Sequence, residues 1–190
     1  MPYTPLAQAV ADEHRALAAA DFADEHMLVD AEAWDRGSKS PEGVLRDAIS
    51  RFTPTAIPKE HGGQGGNFVT LCRIYEELAN RDIGLTCALA VHTNVTVALS
   101  LSPNAALRER YLPKLLSGEA IGAFLLTEPG AGSDATAITT QANRTRDGYS
   151  ISGNKAWVTN GRNADFMALF CQTEEGSGAK GIAAFAVDRA

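Results

Sequence analysis

The sequence predicts an α+β fold, with an antiparallel helical domain first and a small β-domain second. Three observations carry this. From about Thr4 to Ser117, apolar residues recur at helical spacing, interrupted only by clusters of Gly, Pro and Ser. From Ile121 onward they fall in short runs separated by turn residues. Between the two regimes stands Gly118, a residue suited to the left-handed position that closes a helix. The expected domains are therefore residues 1–118, all helical, and residues 119–190, built of strands.

Composition bounds the function. The chain has 190 residues, 45% hydrophobic and 21% charged, as an ordinary globular protein does, and can bury a core without staples. Net charge is -6 and no basic run exists, so nucleic acid is not an expected partner. Met1 to His14 lacks a charged-then-apolar signal pattern, and no apolar run reads as long enough to span a membrane. A cytoplasmic location is the expectation. Cys72, Cys87 and Cys171 form no CxxC pair, and Cys72 and Cys87 fall in apolar helical patterns, so buried free thiols are expected. No metal site is expected: His14 and His26 lie among Asp12, Glu13, Asp24 and Glu25, which read as a solvated acidic face.

The helical half divides as follows. Thr4 to about Arg36 is Ala-rich, with Leu6, Val10, Leu17 and Phe22 as its apolar positions. Ser40-Pro41-Glu42 restarts a helix as N-cap, first residue and acidic first turn, and Val44, Leu45, Ala48, Ile49 and Phe52 line one face. Thr53 to Asn67 is a loop. Its Gly62-Gly63-Gln64-Gly65-Gly66 run lacks the preceding strand and the spacing of a dinucleotide loop, and reads as a hinge between helices. Phe68 to Asn80 is amphipathic through Leu71, Cys72, Tyr75 and Leu78. Ile83 to Leu101 is apolar nearly all round, which predicts a helix covered on every side. His92 within it reads as a hydrogen-bonded core histidine rather than a base. Ser102-Pro103-Asn104 caps a last helix that ends at Gly118.

Predicted strands are Ile121 to Leu126, Ile138 to Asn143, Tyr149 to Ser152, Ala156 to Thr159, Phe166 to Gln172 and Gly181 to Val187. Two stretches stand out among them. The first is Phe124-Leu-Leu-Thr-Glu-Pro-Gly-Ala-Gly-Ser-Asp134. Pro129 stops the strand, the glycines bring backbone close to a partner, and Ser133 adds a hydroxyl, so the loop can cradle an anion such as a phosphate. The second is Lys155-Ala-Trp-Val-Thr-Asn-Gly161, the second strand of a hairpin turning at Gly153 or Asn154. Alternation there puts Trp157 and Thr159 on one face, a flat ring beside a hydroxyl. That face suits either core packing or a flat heteroaromatic ligand.

These two motifs, in this order and spacing, resemble the acyl-CoA dehydrogenase family of flavoenzymes. Ile57-Pro-Lys-Glu-His-Gly-Gly63, Glu77-Leu-Ala-Asn-Arg-Asp82 and Tyr111-Leu-Pro-Lys-Leu-Leu-Ser-Gly-Glu119 extend the resemblance over nearly the whole chain, which matches only the first half of a typical member. The resemblance implies a helical domain, a small antiparallel β-barrel-like domain and FAD as cofactor. It implies dehydrogenation of an acyl-CoA thioester between its alpha and beta carbons, an electron-transfer flavoprotein or similar acceptor, and a homo-oligomer. It places Leu126 and Thr127 at the pyrimidine edge of the flavin, Thr159 near N5, Trp157 beside the ring, and Gly132 and Ser133 at the pyrophosphate. Ser133 also approaches the CoA ester, and Phe124 stands where the family often has an aromatic. Thr86, Leu89, Ala90 and Thr93 border the acyl chain, a role that plain helix packing would equally explain. The catalytic glutamate is expected beyond Ala190, and Glu128, next to Pro129, is expected to be structural. A flavin oxidase or monooxygenase of the same superfamily, or a non-catalytic partner subunit, is the alternative.

Overall fold

The computed structural model describes residues 6–174 and 176–189, with side chains from Asp12 onward. The expected apolar positions Leu6 and Val10 lie outside the described side chains. The chain divides into two compact units, Met1–Glu119 and Ala120–Ala190.

The first unit is helical: α1 Leu6–His26, α2 Ala31–Asp35, α3 Glu42–Phe52, α4 Phe68–Ala79, α5 Ile83–Ser100 and α6 Ala105–Ser117. Short polar side chains start the longer helices by satisfying amides that have no partner inside the helix. Asn67 accepts from the Thr70 N–H and Asn104 from the Leu107 N–H, while Asp82 caps α5 through Leu85. Helix α3 begins one residue later than expected, with Pro41 rather than Ser40 at its N-cap, and the Ser40 hydroxyl only accepts from the Glu42 N–H at 3.3 Å. Gly118 ends α6 with φ 76. Helix α1 lies along α4, and α5 packs against α3, α4 and α6. The core holds Phe22, Met27, Ile49, Ile74, Leu89 and Leu115. The expected loop after α3 contains two 3-10 turns, Thr53–Ala56 and Lys59–His61. Its glycines serve close packing: a Cβ on Gly63 would stand 2.0 Å from the Ile57 carbonyl oxygen, and one on Gly66 2.6 Å from that of Thr55.

Four further expectations change here. Cys72 and Cys87 are exposed, because each falls on the outer side of its helix, and Cys171 is the buried thiol. Leu17 is also exposed. Helix α5 is covered on one side only: Leu85, Leu89, Val95 and Leu99 are buried, while Ile83 is 64% exposed. In length and apolar character α5 also meets the requirements of a membrane span, contrary to the reading that no run does, with half of it buried inside the helical unit.

The second unit is a five-stranded sheet of β1 Gly122–Leu125, β2 Gln141–Thr145, β3 Gly148–Ser152, β4 Phe166–Gln172 and β5 Ile182–Asp188. Its pairing is mixed rather than wholly antiparallel. β2–β3 and β4–β5 are antiparallel, whereas β1–β4 and β2–β4 are parallel. β5 occupies one edge of β4 along its whole length. The other edge is shared by β1 at Phe166–Leu169 and by β2 at Gln172. Phe124 on β1 packs against Phe170 with ring centroids 4.7 Å apart, and Tyr149 against Phe185 at 5.0 Å.

The predicted strand Ala156–Thr159 does not form, and neither does the hairpin through Gly153 and Asn154. β3 turns back on β2 instead, with Thr145 opposite Gly148. Two features stop a strand after Ser152. Gly153, at φ 155, lies so close over Thr140 that a Cβ would meet its Oγ1 at 2.4 Å. Trp157 then adopts φ 57, a left-handed conformation no strand accommodates.

Candidate functional site

The β unit brings the two motifs together through their main chains. Pro129 and Gly130 form the tip of a tight reversal in which Glu128 and Ala131 exchange backbone hydrogen bonds of 3.0 and 3.1 Å. That reversal turns the Glu128 side chain inward, where it is 5% exposed. Its carboxylate accepts five hydrogen bonds: from the N–H and hydroxyl of Thr139 (2.6 and 2.8 Å), from the N–H of Thr140 (2.9 Å) and its hydroxyl, and from the Lys155 ammonium (2.8 Å). Burial raises the pKa of this carboxyl, but the Lys155 ammonium and the Thr140 and Thr139 donors outweigh it and hold the group well below the usual carboxylate range. Glu128 is therefore an ionised anchor, as its structural reading anticipated.

Lys155 is the second half of the anchor. Its Nζ also donates to the Leu126 carbonyl at 3.0 Å, and the next residue, Ala156, donates its N–H to the Thr127 carbonyl at 2.9 Å. The carbonyls of Leu126 and Thr127 are thus both held by the second motif. Asn160, at φ 65, adds a third tie by donating from Nδ2 to the Gly122 carbonyl at 3.1 Å.

The predicted cofactor residues project from this frame. Trp157 is 92% exposed. Thr127 and Thr159 are half-buried and Ser133 is exposed, and the three hydroxyls have no hydrogen-bond partner among the described residues. Gly130 and Gly132 have ordinary φ values and open space where a Cβ would be, so this fold does not itself require glycine at either position. Their bare backbone faces outward, where a bulky polar group can approach it. Asp134 is occupied locally, accepting from the Thr136 N–H and hydroxyl at 3.0 and 2.6 Å. The strand alternation that paired Trp157 with Thr159 does not apply, since no strand exists there; Trp157 is presented by backbone strain instead. The chemistry of this set fits a flat heteroaromatic cofactor with a phosphate tail: one exposed indole, unused hydroxyls, and a glycine loop open to solvent.

The predicted acyl-chain residues belong to the helical unit, where they are engaged in its core. The Thr86 hydroxyl donates to the Asp82 carbonyl at 2.7 Å, the Thr93 and Thr53 hydroxyls bond at 3.0 Å, Leu89 is fully buried and Ala90 half-buried. A cavity of about 380 Å³ in this unit, walled by Arg15, Phe52 and Ile74 among others, includes none of these residues. His92 is a core residue: its Nε2–H donates to the Leu115 carbonyl at 3.0 Å, and burial pushes its pKa down to about 4. Among the described residues no group of His, Cys, Asp and Glu could hold a metal ion. Sequence reasoning missed the Lys155–Glu128 pair and the two threonines that complete it. Nothing local signals a pairing across 27 residues.

Comparison with known proteins assigns the family. Residues 11–119 match the acyl-CoA dehydrogenase N-terminal domain, and residues 123–190 match the acyl-CoA dehydrogenase middle domain. The chain belongs to the acyl-CoA dehydrogenase family. It is 34% identical to the mitochondrial isovaleryl-CoA dehydrogenase of Arabidopsis thaliana over 172 residues, covering 88% of this chain and 42% of that protein. A chain solved in work on the electron transferring flavoprotein of Acidaminococcus fermentans superposes with a TM-score of 0.89 at 27% identity, covering 100% of this chain and 50% of that one. A glutaryl-CoA dehydrogenase from Mycobacterium smegmatis in complex with FADH2 superposes with a TM-score of 0.85 at 26% identity, covering 94% and 45%. The chain thus spans about half the length of the relatives it matches.

Proposed function

We propose that the protein is an FAD-dependent acyl-CoA dehydrogenase, to which this chain contributes the helical and β units. One observation carries the reading. The two β-unit motifs are locked together from inside by Lys155 and Ala156, and they leave Thr127, Ser133, Thr159 and Trp157 accessible and, among the described residues, without hydrogen-bond partners. Bound FAD would supply the hydride acceptor.

The chain's own residues then orient and bind. Leu126 and Thr127 hold the pyrimidine edge through backbone and hydroxyl. Thr159 would offer its hydroxyl to the hydride-accepting part of the ring system, with Trp157 and Phe124 as aromatic surface beside it. Gly132 and Ser133 receive the pyrophosphate, with Ser133 also reaching the CoA ester. In the helical unit, Thr86 and Thr93 have spent their hydroxyls on Asp82 and Thr53 and, with Leu89, are buried in its core, so of the four predicted residues half-buried Ala90 is the one that offers surface to an acyl chain. Glu128 is not the proton-abstracting base, because a carboxylate with five donors and a depressed pKa is a poor proton acceptor. Another segment supplies the base. Electrons pass to an electron-transfer flavoprotein, and the working form is a homo-oligomer.

The test is direct. The purified intact protein is expected to be yellow, to carry FAD, and to be bleached anaerobically by an acyl-CoA. Isovaleryl-CoA leads the substrate panel because a relative bears its name. A colourless protein that FAD does not reconstitute overturns the reading, and rapid reoxidation by oxygen reassigns it to a flavin oxidase.

A further inference from the structure

We propose that Lys155 is a positioning residue that sets the Leu126–Thr127 backbone at the cofactor edge, with Glu128 as the counter-charge that fixes its ammonium; this rests on the flavin reading above. The Lys155 side chain is 7% exposed and that of Glu128 3%, so the pair is shielded from water. A buried ion pair of this kind is a poor choice for stability alone, because an apolar pair of similar volume serves as well or better. What an apolar pair lacks is a directed donor.

Lys155 divides its donors between two acceptors, the Glu128 carboxylate at 2.8 Å and the Leu126 carbonyl at 3.0 Å. The second bond is to main chain, at the residue where β1 has just ended and the loop begins. Ala156 repeats the contact one step along, to the Thr127 carbonyl. Both carbonyls are therefore turned toward the second motif, and the Thr127 side chain is set by a backbone pinned on the other side. The same lysine lies two residues before Trp157 and four before Thr159, so its position governs both motifs at once.

The threonines serve this geometry. Thr139 and Thr140 supply four of the five donors that orient the Glu128 carboxylate, leaving one direction for Lys155. Gly153 must be glycine for the chain to pass over Thr140 before reaching Lys155, since its φ is 155 and a Cβ would stand 2.6 Å from the Thr140 Cα. Every component fixes where the ammonium sits.

Two variants of the intact protein separate positioning from folding. K155M leaves a buried carboxylate without its cation, and its melting temperature should fall. The double variant K155M/E128Q removes that charge and should regain most of the loss. Positioning predicts that FAD affinity does not follow. In both variants the FAD dissociation constant should rise about tenfold, the size of one charge-assisted hydrogen bond. The fine structure of the visible flavin band should blur in both, with kcat lowered more than KM for acyl-CoA. A double variant that regains stability, FAD affinity and spectrum together overturns the inference and leaves the pair a purely structural element, while the flavin reading stands. Wild-type protein that binds no FAD overturns the flavin reading and this inference with it.

Discussion

The polar residues of the two units meet opposite fates. In the helical unit, Thr53, Thr86, Thr93 and His92 are buried and each has found a partner inside the chain. In the β unit, Thr127, Ser133 and Thr159 remain accessible to solvent and have found none among the described residues. The same residue type, threonine, appears on both sides of this division, so composition does not separate them. What separates them is satisfaction: a bonded core hydroxyl contributes to stability, and an unbonded accessible one is available to a ligand. The β unit has its own bonded set, in which buried Glu128, Thr140 and Lys155 are joined by Thr139 at the surface, and this set obeys the helical rule.

The comparison is broken most severely at Glu128. Glu128→Ala leaves Lys155 buried without a counter-charge and two threonines without an acceptor, and should cost about 3–5 kcal/mol in urea unfolding of the intact protein. A loss below about 1 kcal/mol would show that the pair is not buried in solution.

His92 gives the next largest effect, confined to acid. Its folded pKa, about 4, lies below its ordinary value of 6.5, so between those pH values the unfolded chain binds a proton that the folded chain refuses. Stability should be insensitive to this group above pH 6.5 and should fall by roughly 3 kcal/mol as the pH drops from 6.5 to 4. His92→Gln should flatten that slope in denaturant titrations run at several pH values. An unchanged slope would place the titrating group elsewhere.

Matched threonine substitutions sharpen the contrast. Thr93→Val strands the Thr53 hydroxyl in the core and should cost about 1–2 kcal/mol, with FAD affinity within about twofold of wild type. Thr159→Val should change stability by less than about 0.5 kcal/mol while slowing flavin reduction by acyl-CoA more than it weakens FAD binding. Stopped-flow reduction measures the second effect, and equal behaviour of the two variants would remove the distinction between the units.

Trp157 gives a small effect with the most specific sign. Its φ of 57 strains any residue with a Cβ, and its ring is 92% exposed, so Trp157→Gly should stabilise the FAD-free protein by about 0.5–1 kcal/mol while weakening FAD binding. A thermal melt paired with a flavin titration reads both. Destabilisation would mean that the indole is covered in solution.

Much of this was legible in the sequence because it is local. The caps Asn104 and Gly118, the inward face of α3 and β4 over Phe166–Gln172 follow from neighbours within a few residues, whereas the caps Asn67 and Asp82 are not among the expected features. The failures are equally physical. Cys87 sits in α5, and helical periodicity does not say which side of a nearly uniform helix faces outward; Cys72 sits in amphipathic α4, just outside the buried stripe of Leu71, Ile74 and Leu78. Ala156–Thr159 has a strand's alternation, but Lys155 is drawn toward Leu126 and Glu128, and the chain bends to follow it. The parallel pairing of β1 with β4 joins segments whose contact depends on everything between them.

That last pairing sets an order of events during synthesis. β1 and the start of the first motif leave the ribosome early, but the strand that completes their edge, β4, follows 44 residues later, as the bond from the Ile121 N–H to Asp165 marks. Until then Leu126 and Thr127 have no strand to extend from, and the loop after them has no fixed place. The frame of the cofactor site proposed above is therefore complete only once Phe166–Gln172 lies between β1 and β5.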